Sequence, residues 1–391
     1  MRGRVLTTNF SYKNALAVVR ALGNEGLTIV TSGPNPLNRV ASLSRFSSEW
    51  RVYRDPRHNI EKFISDIVGL LREKSYELVM PIGVDTTIPI SYCKEKLSSY
   101  TRVPVADYET LIKAHDKYQT LEIARRIGIP VPETQLFLGE SRPTYPVKYP
   151  VVVKARKGTS GYGTRFASSQ VDLENILRSF EGLDSNPIED YNFPMIQEYI
   201  PGEIRDVCVL FNHGEPRAVV AQRRALTYPP NGGVGIVNET IEDPSLIELA
   251  IRLLREIRWH GVAQVEFKLD TEGTPRLMEV NPKFWGTLEL SIAAGVDFPY
   301  MLYKMTVEGD IEPCMSYTRN IQLWWTFAHY PHLLLAFKYD RKKYLKVIHD
   351  KRTRKMWDLQ ITDVKPHLAQ IIEGVIRLGH FRKLIAHPSA R

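Results

Sequence analysis

Hydrophobic positions in the first part of the chain alternate between short apolar runs and amphipathic stripes. That pattern predicts an α/β unit on a parallel sheet. Val5-Leu6-Thr7-Thr8 reads as a strand, Tyr12 to Leu22 as a helix closed by Gly23 and Gly26, and Leu27 to Val30 as the next strand. Ile60 to Leu71 places Ile60, Phe63, Ile64, Ile67 and Leu71 on one helical face, and Leu78 to Pro81 follows as a short buried strand. The helix Lys117 to Ile127 is stopped by Gly128, Pro130 and Pro132. From Pro150 the pattern changes to β-rich runs joined by hairpin signals, which predicts antiparallel sheets. Val207–Phe211 and Ala218–Ala221 flank one turn, and Ala263–Leu269 and Arg276–Val280 flank another. Helices are expected over Val171–Phe180 and Ser245–Trp259.

Composition narrows the class. The 391 residues are 43 % hydrophobic and 25 % charged, which excludes a disordered chain, a collagen and a multi-span membrane protein. The length favours two or three domains. Cys93, Cys208 and Cys314 are too scattered for a disulfide framework or a cysteine metal site, so a reducing, cytoplasmic setting is expected. The start runs directly into a strand pattern, with no signal-peptide pattern. The net charge of +8 is uneven. Positions 319–391 hold 15 Lys and Arg against 5 Asp and Glu, whereas the rest holds 37 against 39. A chain acting on nucleic acid throughout would spread its basic residues more widely.

Three stretches carry candidate chemistry. A turn centred on Glu272-Gly273 would set Glu266 opposite Glu279, with Asn281 two residues further on the same face. Opposed carboxylates repel, so the pair reads either as an oxygen-ligand site for a hard cation such as Mg2+ or as a solvated hairpin face. The strand Val151–Lys154 leads into a loop containing Gly158, Thr159, Ser160, Gly161 and Gly163. Such a loop either lays backbone N–H groups on phosphate oxygens or forms an ordinary hairpin tip. It is not a Walker loop, and no G-x-G-x-x-G follows the first strand. Third, the apolar strand Met195–Ile200 runs into Pro201-Gly202 with Glu203 just beyond. Its edge could meet an adenine rim and Glu203 a ribose, or it is simply a strand and a turn.

The order of these features resembles the ATP-grasp superfamily over residues 1–310. Lys117, in His115-Asp116-Lys117, and Lys154 look like its two nucleotide lysines, and Gly-Ile-Pro-Val-Pro-Glu-Thr (128–134) looks like the entry to its small lobe. The stretch Asn281-Pro282-Lys283-Phe284-Trp285-Gly286-Thr287 and the segment Gln222-Arg223-Arg224 are similar to a carboxylate–amine ligase branch related to the carbamoyl-phosphate synthase large subunit. Position 283 departs from the usual Arg; Lys keeps the charge but loses bidentate recognition.

The charge pattern marks off a mainly helical, basic C-terminal appendage (319–391), and the resemblance implies an α/β N-terminal domain (1–113) and an α+β ATP-grasp domain of two lobes with antiparallel sheets (114–318). The resemblance also implies an ADP-forming ligase that activates a carboxylate as an acyl phosphate and joins it to an amine. One or two Mg2+, or Mn2+, would be held by Glu266, Glu279 and Asn281. ATP would be held by Lys117, Lys154, the loop Gly158, Thr159, Ser160, Gly161 and Gly163, the hinge Glu198, Tyr199 and Ile200, and Glu203. Arg223 or Arg224, with Lys283, would stabilise the transferred group. The alternatives are carbamoyl-phosphate-synthase-like or kinase-like phosphotransfer on the same scaffold, and an inactive nucleotide-binding module that recruits partners. The acceptor pocket is expected near Thr8, Asn9, Gly83 and Asp85.

Asn320 to Phe337 is an uncharged, aromatic run that is too short and too polar to span a bilayer. Basic clusters at 341–343 and 351–355 follow it. The segment reads as a packed appendage, a peripheral contact with an anionic membrane, or a contact with RNA or an acidic partner. A homo-oligomer is compatible with the sequence.

Overall fold

The computed structural model describes residues 3–139, 148–158, 163–229 and 233–385. Three sheets organise it. The first is parallel, in the order Ser47–Val52, Thr28–Gly33, Arg4–Thr7, Leu78–Met80. Both of its faces are covered. Val5 packs with the helix Lys13–Asn24 in one core, and Leu6 with the helix Ile60–Glu73 in another. Burial on both sides explains why its inner strands read as unbroken apolar runs. Ser47–Val52 escaped the apolar pattern because it is an edge strand whose alternate residues are exposed.

A small antiparallel sheet has the order Thr134–Leu136, Met195–Glu198, Val151–Lys154, Arg165–Ala167. Met195–Glu198 is therefore an inner strand, paired on both sides. The free edge expected for it begins only beyond Glu198, where the chain leaves the sheet.

The third sheet has seven strands, in the order Pro275–Asn281, Gly261–Leu269, Ile204–Asn212, Glu215–Tyr228, Val234–Thr240, Ile321–Trp324, Arg354–Trp357. All neighbours are antiparallel except the last pair. One face buries Val207, Val209, Phe211, Val265 and Phe267 against the helix Pro244–Glu256 and other apolar residues. The opposite face buries Cys208, Leu210 and Val262 in the core shared with the parallel-sheet unit. The cleft described below lies on that second face.

The C-terminal segment is mostly helical, yet it does not stand apart as an appendage. Its strands Ile321–Trp324 and Arg354–Trp357 extend the large sheet. It is also anchored to the parallel-sheet unit. Arg20 donates to Asp363 through Nε at 2.8 Å, the Ser44 hydroxyl and the Arg45 N–H donate to the same carboxylate, and Arg20 and Asp363 are both buried. Burial penalises the Asp363 charge, but these donors outweigh it and hold the carboxyl below its ordinary value.

Candidate active site

The hairpin register places Glu266 directly opposite Glu279, and Gln264 opposite Asn281. A bulge follows, so that Phe267 faces Leu277. The extra residue lets Leu277 and Val280 both reach the apolar core while Glu279 and Asn281 stay on the other face. On its second side Glu266 faces Asp206, which in turn faces Gln222. Three carboxylates thus lie in a row across adjacent strands. Asp206 was missed by sequence reasoning. Its one signal is a charged residue in the inward phase of the run Ile204-Arg205-Asp206-Val207-Cys208.

Arg224, two residues past Gln222, donates to Glu266 and lies 3.9 Å from Asp206. Burial pushes Asp206 up to about 7, and repulsion from Glu266 adds to this while Arg224 opposes it. Burial also raises Glu266 against the pull of Arg224. Glu279 differs. Burial works against its charge, but Lys117, Lys154 and a hydrogen bond from Asn281 prevail, and its carboxyl lies below the ordinary value. Asn281 donates Nδ2 to Glu279 Oε1 at 3.1 Å, which turns its amide oxygen outward as the remaining acceptor.

The two expected lysines come from different elements: Lys154 from the small lobe built on the small antiparallel sheet, and Lys117 from a helix packed on the large sheet. In Val151–Lys154, Val151 and Val153 enter the lobe's core, so alternation sends Lys154 to the other face. Burial pushes Lys154 down to about 8, with Glu279 opposing. Lys117 opens the helix Lys117–Arg126. Its Nζ lies 3.6 Å from Glu279 Oε2 and donates to the Gly158 carbonyl at 3.1 Å. Asp116 caps that helix by accepting from the Tyr118 and Gln119 N–H groups, and Arg156 pairs with its fully buried carboxylate. This one residue therefore fixes the position of Lys117.

The remaining expected residues divide. Gly158 and Gly163 flank the loop, and Gly163 has a φ of +79°, which favours glycine; Thr159, Ser160 and Gly161 lie outside the described residues. Glu198 is exposed and accepts from the Glu133 N–H. Tyr199 packs edge-on to Phe166 and lies under the Lys268 ammonium, 5.0 Å from the ring centre, while Ile200 is buried. Lys268 shares the face of Glu266, a cation that sequence reasoning passed over. Glu203 binds Arg205 and Arg223. Arg223 is not brought to the carboxylate row. Neighbouring residues of a strand point to opposite faces, and Arg223 pairs with Glu203 and Glu239 away from Glu266.

Lys283 leaves the hairpin towards a cavity of about 270 Å³ at the carboxyl end of the parallel sheet. Tyr12, Lys13, Arg57, Asp85, Lys283 and His329 are among its walls, with Glu189 and Glu373. Asp85 is buried and accepts from Asn9 at 3.1 Å, Arg57 at 3.1 Å and Tyr12 at 3.2 Å. A Cβ on Gly83 would come within 2.3 Å of Asp85 Oδ1, so this turn requires glycine. Of the four acceptor-pocket candidates, Gly83 and Asp85 line the cavity, and Asn9 supports them from behind.

Among the described residues no three His, Cys, Asp or Glu converge on one point. The expected set is instead two Glu and an Asn. Its donors are all hard oxygens, and it faces two lysines across a cleft, which fits a Mg2+–phosphate pair.

Residues 192–326 match the family model described as ATP-grasp in the biosynthetic pathway with Ter operon. The chain is 26 % identical over 229 residues to a D-alanine–D-alanine ligase of Pelotomaculum thermopropionicum, a match covering 51 % of this chain and 69 % of that one. Its fold is similar to that of an L-amino acid ligase from Bacillus licheniformis, with a TM-score of 0.61 at 16 % identity, covering 80 % of this chain and 78 % of the other. It is also similar to the biotin carboxylase domain of a Hydrogenobacter thermophilus 2-oxoglutarate carboxylase solved with MgADP, with a TM-score of 0.64 at 19 % identity, covering 82 % and 73 %. Residues 192–326 are thus similar to an ATP-grasp family, and the chain shares the fold of these solved enzymes.

The double duty of Asp116 is testable. Asp116→Ala should lose about 3 kcal/mol in urea denaturation, because it leaves Arg156 without its buried partner. Asp116→Asn should recover about 1 kcal/mol of that, since Asn still caps. Equal stability of the two variants would contradict the assignment.

Proposed function

We propose that this protein is an ATP-dependent ligase that converts a carboxylate to an acyl phosphate and joins it to an amine, releasing ADP and phosphate. One observation carries the reading: two buried lysines meet a Glu266/Glu279/Asn281 face, and Lys283, two residues past Asn281, lines a cavity with charges of both signs. Arg57 and Lys283 against Asp85, Glu189 and Glu373 suit a zwitterion, so the substrate class is an amino acid or a small peptide. The relatives named for D-alanine and L-amino acid ligation support that class.

In this reading Lys117 and Lys154 hold the phosphate chain, and Lys268 adds charge nearby. Tyr199 and Ile200 border the base, whereas Glu203, held by Arg205 and Arg223 on the other face, has no part in it. Glu266, Glu279 and Asn281 are the residues that would hold Mg2+ or Mn2+, which when bound neutralises phosphate charge and polarises the γ-phosphate. Arg224, rather than Arg223, stabilises the phosphoryl group in flight. Lys283 does the same from the cavity side. Positioning and charge neutralisation account for most of such a transfer. Gly158 and Gly163 bound the phosphate loop, whose part in this reading is to keep water from the acyl phosphate.

Glu279→Gln should lower ADP release with a carboxylate and an amine by at least about 100-fold. Its thermal unfolding should stay near that of the wild type. Retained turnover would overturn the assignment.

We infer further that the C-terminal segment docks on an anionic lipid surface. The helix Lys365–Ile385 is inverted: Leu368, Ile371, Ile372, Val375 and Ile376 are exposed, whereas His367, Gln370 and Gly374 are buried. Trp357, Leu359 and Ile361 add exposed apolar groups, and the basic clusters precede them in sequence. A second copy would meet this patch with the same excess of positive charge, which opposes self-association; an anionic bilayer meets both features. Among the described residues no helix is long and apolar enough to cross a membrane. Co-sedimentation with phosphatidylserine-containing vesicles should exceed that with pure phosphatidylcholine, and Ile372→Glu with Val375→Glu should abolish it. Equal binding to both vesicles, or loss of a dimer in place of lipid binding, would contradict docking. Binding that survives the apolar substitutions and fails only when the lysines are replaced would point to a soluble polyanion instead.

A further inference from the structure

One half-buried group on the cavity wall has no part in the phosphate chemistry above. Lys13 begins the helix Lys13–Asn24, and its side chain passes beside Gly286. Its Nζ lies 2.8 Å from His329 Nε2 and 3.7 Å from the centre of the Trp325 ring. His329 and Trp325 belong to the C-terminal segment. That segment is fixed here because Asp358 accepts from the Phe327 and Ala328 N–H groups. Residues from opposite ends of the chain therefore meet at one cavity, which Lys283 also lines.

We propose that Lys13, paired with His329, is the proton acceptor for the attacking amine. The inference rests on the ligase reading. An amino group arrives as an ammonium and cannot attack until it loses a proton. The uncharged Lys13 amine has two N–H donors and one lone pair. One N–H bonds His329 Nε2, and the lone pair is then available to the cavity. The ammonium gives one proton to Nζ. The freed amine attacks the acyl carbon, and the bond from that carbon to the bridging oxygen breaks. The nitrogen's second surplus proton leaves with the phosphate. The face of Trp325 accommodates the charge that Lys13 acquires.

The surroundings suit a base that works near neutrality. Burial pushes Lys13 down to about 7, with Arg224 adding to the fall and Asp358 and Glu289 opposing it. Glu289 is itself pushed up to about 7 by burial. Within the cavity, Arg57 and Lys283 face Asp85, Glu189 and Glu373. A base whose pKa lies near the working pH is the effective kind.

Hydroxylamine separates this step from the one before it, because it attacks an acyl phosphate as an uncharged nucleophile at neutral pH. With a carboxylate that elicits ADP release, Lys13→Met should form hydroxamate at close to the wild-type rate while ligation to an amino acid falls about 100-fold. The residual ligation should rise with pH in proportion to free amine, whereas the wild-type rate levels off above neutrality. His329→Leu, which removes the acceptor of the Lys13 N–H, should lose ligation selectively as well; it serves as the second variant should Lys13→Met fold poorly. Parallel loss of hydroxamate and amide in folded variants, or undiminished ligation, would overturn the proposal. A wild-type protein that forms hydroxamate but shows no dependence on Lys13 refutes only the base. A wild-type protein that forms none with any carboxylate refutes the acyl phosphate itself.

Discussion

The cleft depends on keeping Asp206, Glu266 and Glu279 side by side on one face of the large sheet. Cross-strand neighbours lie about 5 Å apart. At that distance two full charges with an effective dielectric of 20 repel by about 3 kcal/mol. Two such pairs would consume much of a domain's stability of roughly 5–15 kcal/mol. The fold answers with cations. Arg224 serves the Asp206 end, and Lys117 and Lys154 serve the Glu279 end. Burial raises Asp206 in spite of Arg224, whereas at Glu279 the two lysines overcome burial. A polyphosphate that drew the two lysines to itself would leave Glu279 needing another positive charge. That exchange is the physical argument for the proposal that a divalent cation and a nucleotide share this spot.

Each cation has its own support. Asp116 positions Lys117 through a helix cap and a buried pair with Arg156, and the alternation of a four-residue strand aims Lys154. Beyond Lys283 the cavity is closed by two parts of the chain that are remote in sequence. The Arg20–Asp363 cluster and the sheet-extending strands tie the C-terminal segment into place, so that segment helps to shape the site as well as carrying most of the excess positive charge.

The register of Glu266 on Glu279 was legible because hairpin geometry is local: a turn and a period of two determine who faces whom. The two lysines and the inner parallel strands were legible for similar reasons, resting on apolar runs beside a charged residue. What escaped depends on distant partners. Asp206 joins the site only because three strands from different parts of the chain align. Arg223 and Arg224 are alike in sequence, and only strand phase separates them. Ser47–Val52 lacks an apolar signature because it is an edge strand. Ile321–Trp324 looked like part of an aromatic run because its partner, Val234–Thr240, precedes it by some eighty residues. Lys13 and His329 carry no motif, and 316 positions separate them.

The central claim is that the carboxylate substrate is phosphorylated before the amine attacks. Oxygen transfer tests it most directly. With a carboxylate labelled with 18O in both oxygens, the released phosphate should carry one labelled oxygen per turnover, as found by mass spectrometry. Unlabelled phosphate, or AMP in place of ADP, would contradict the account.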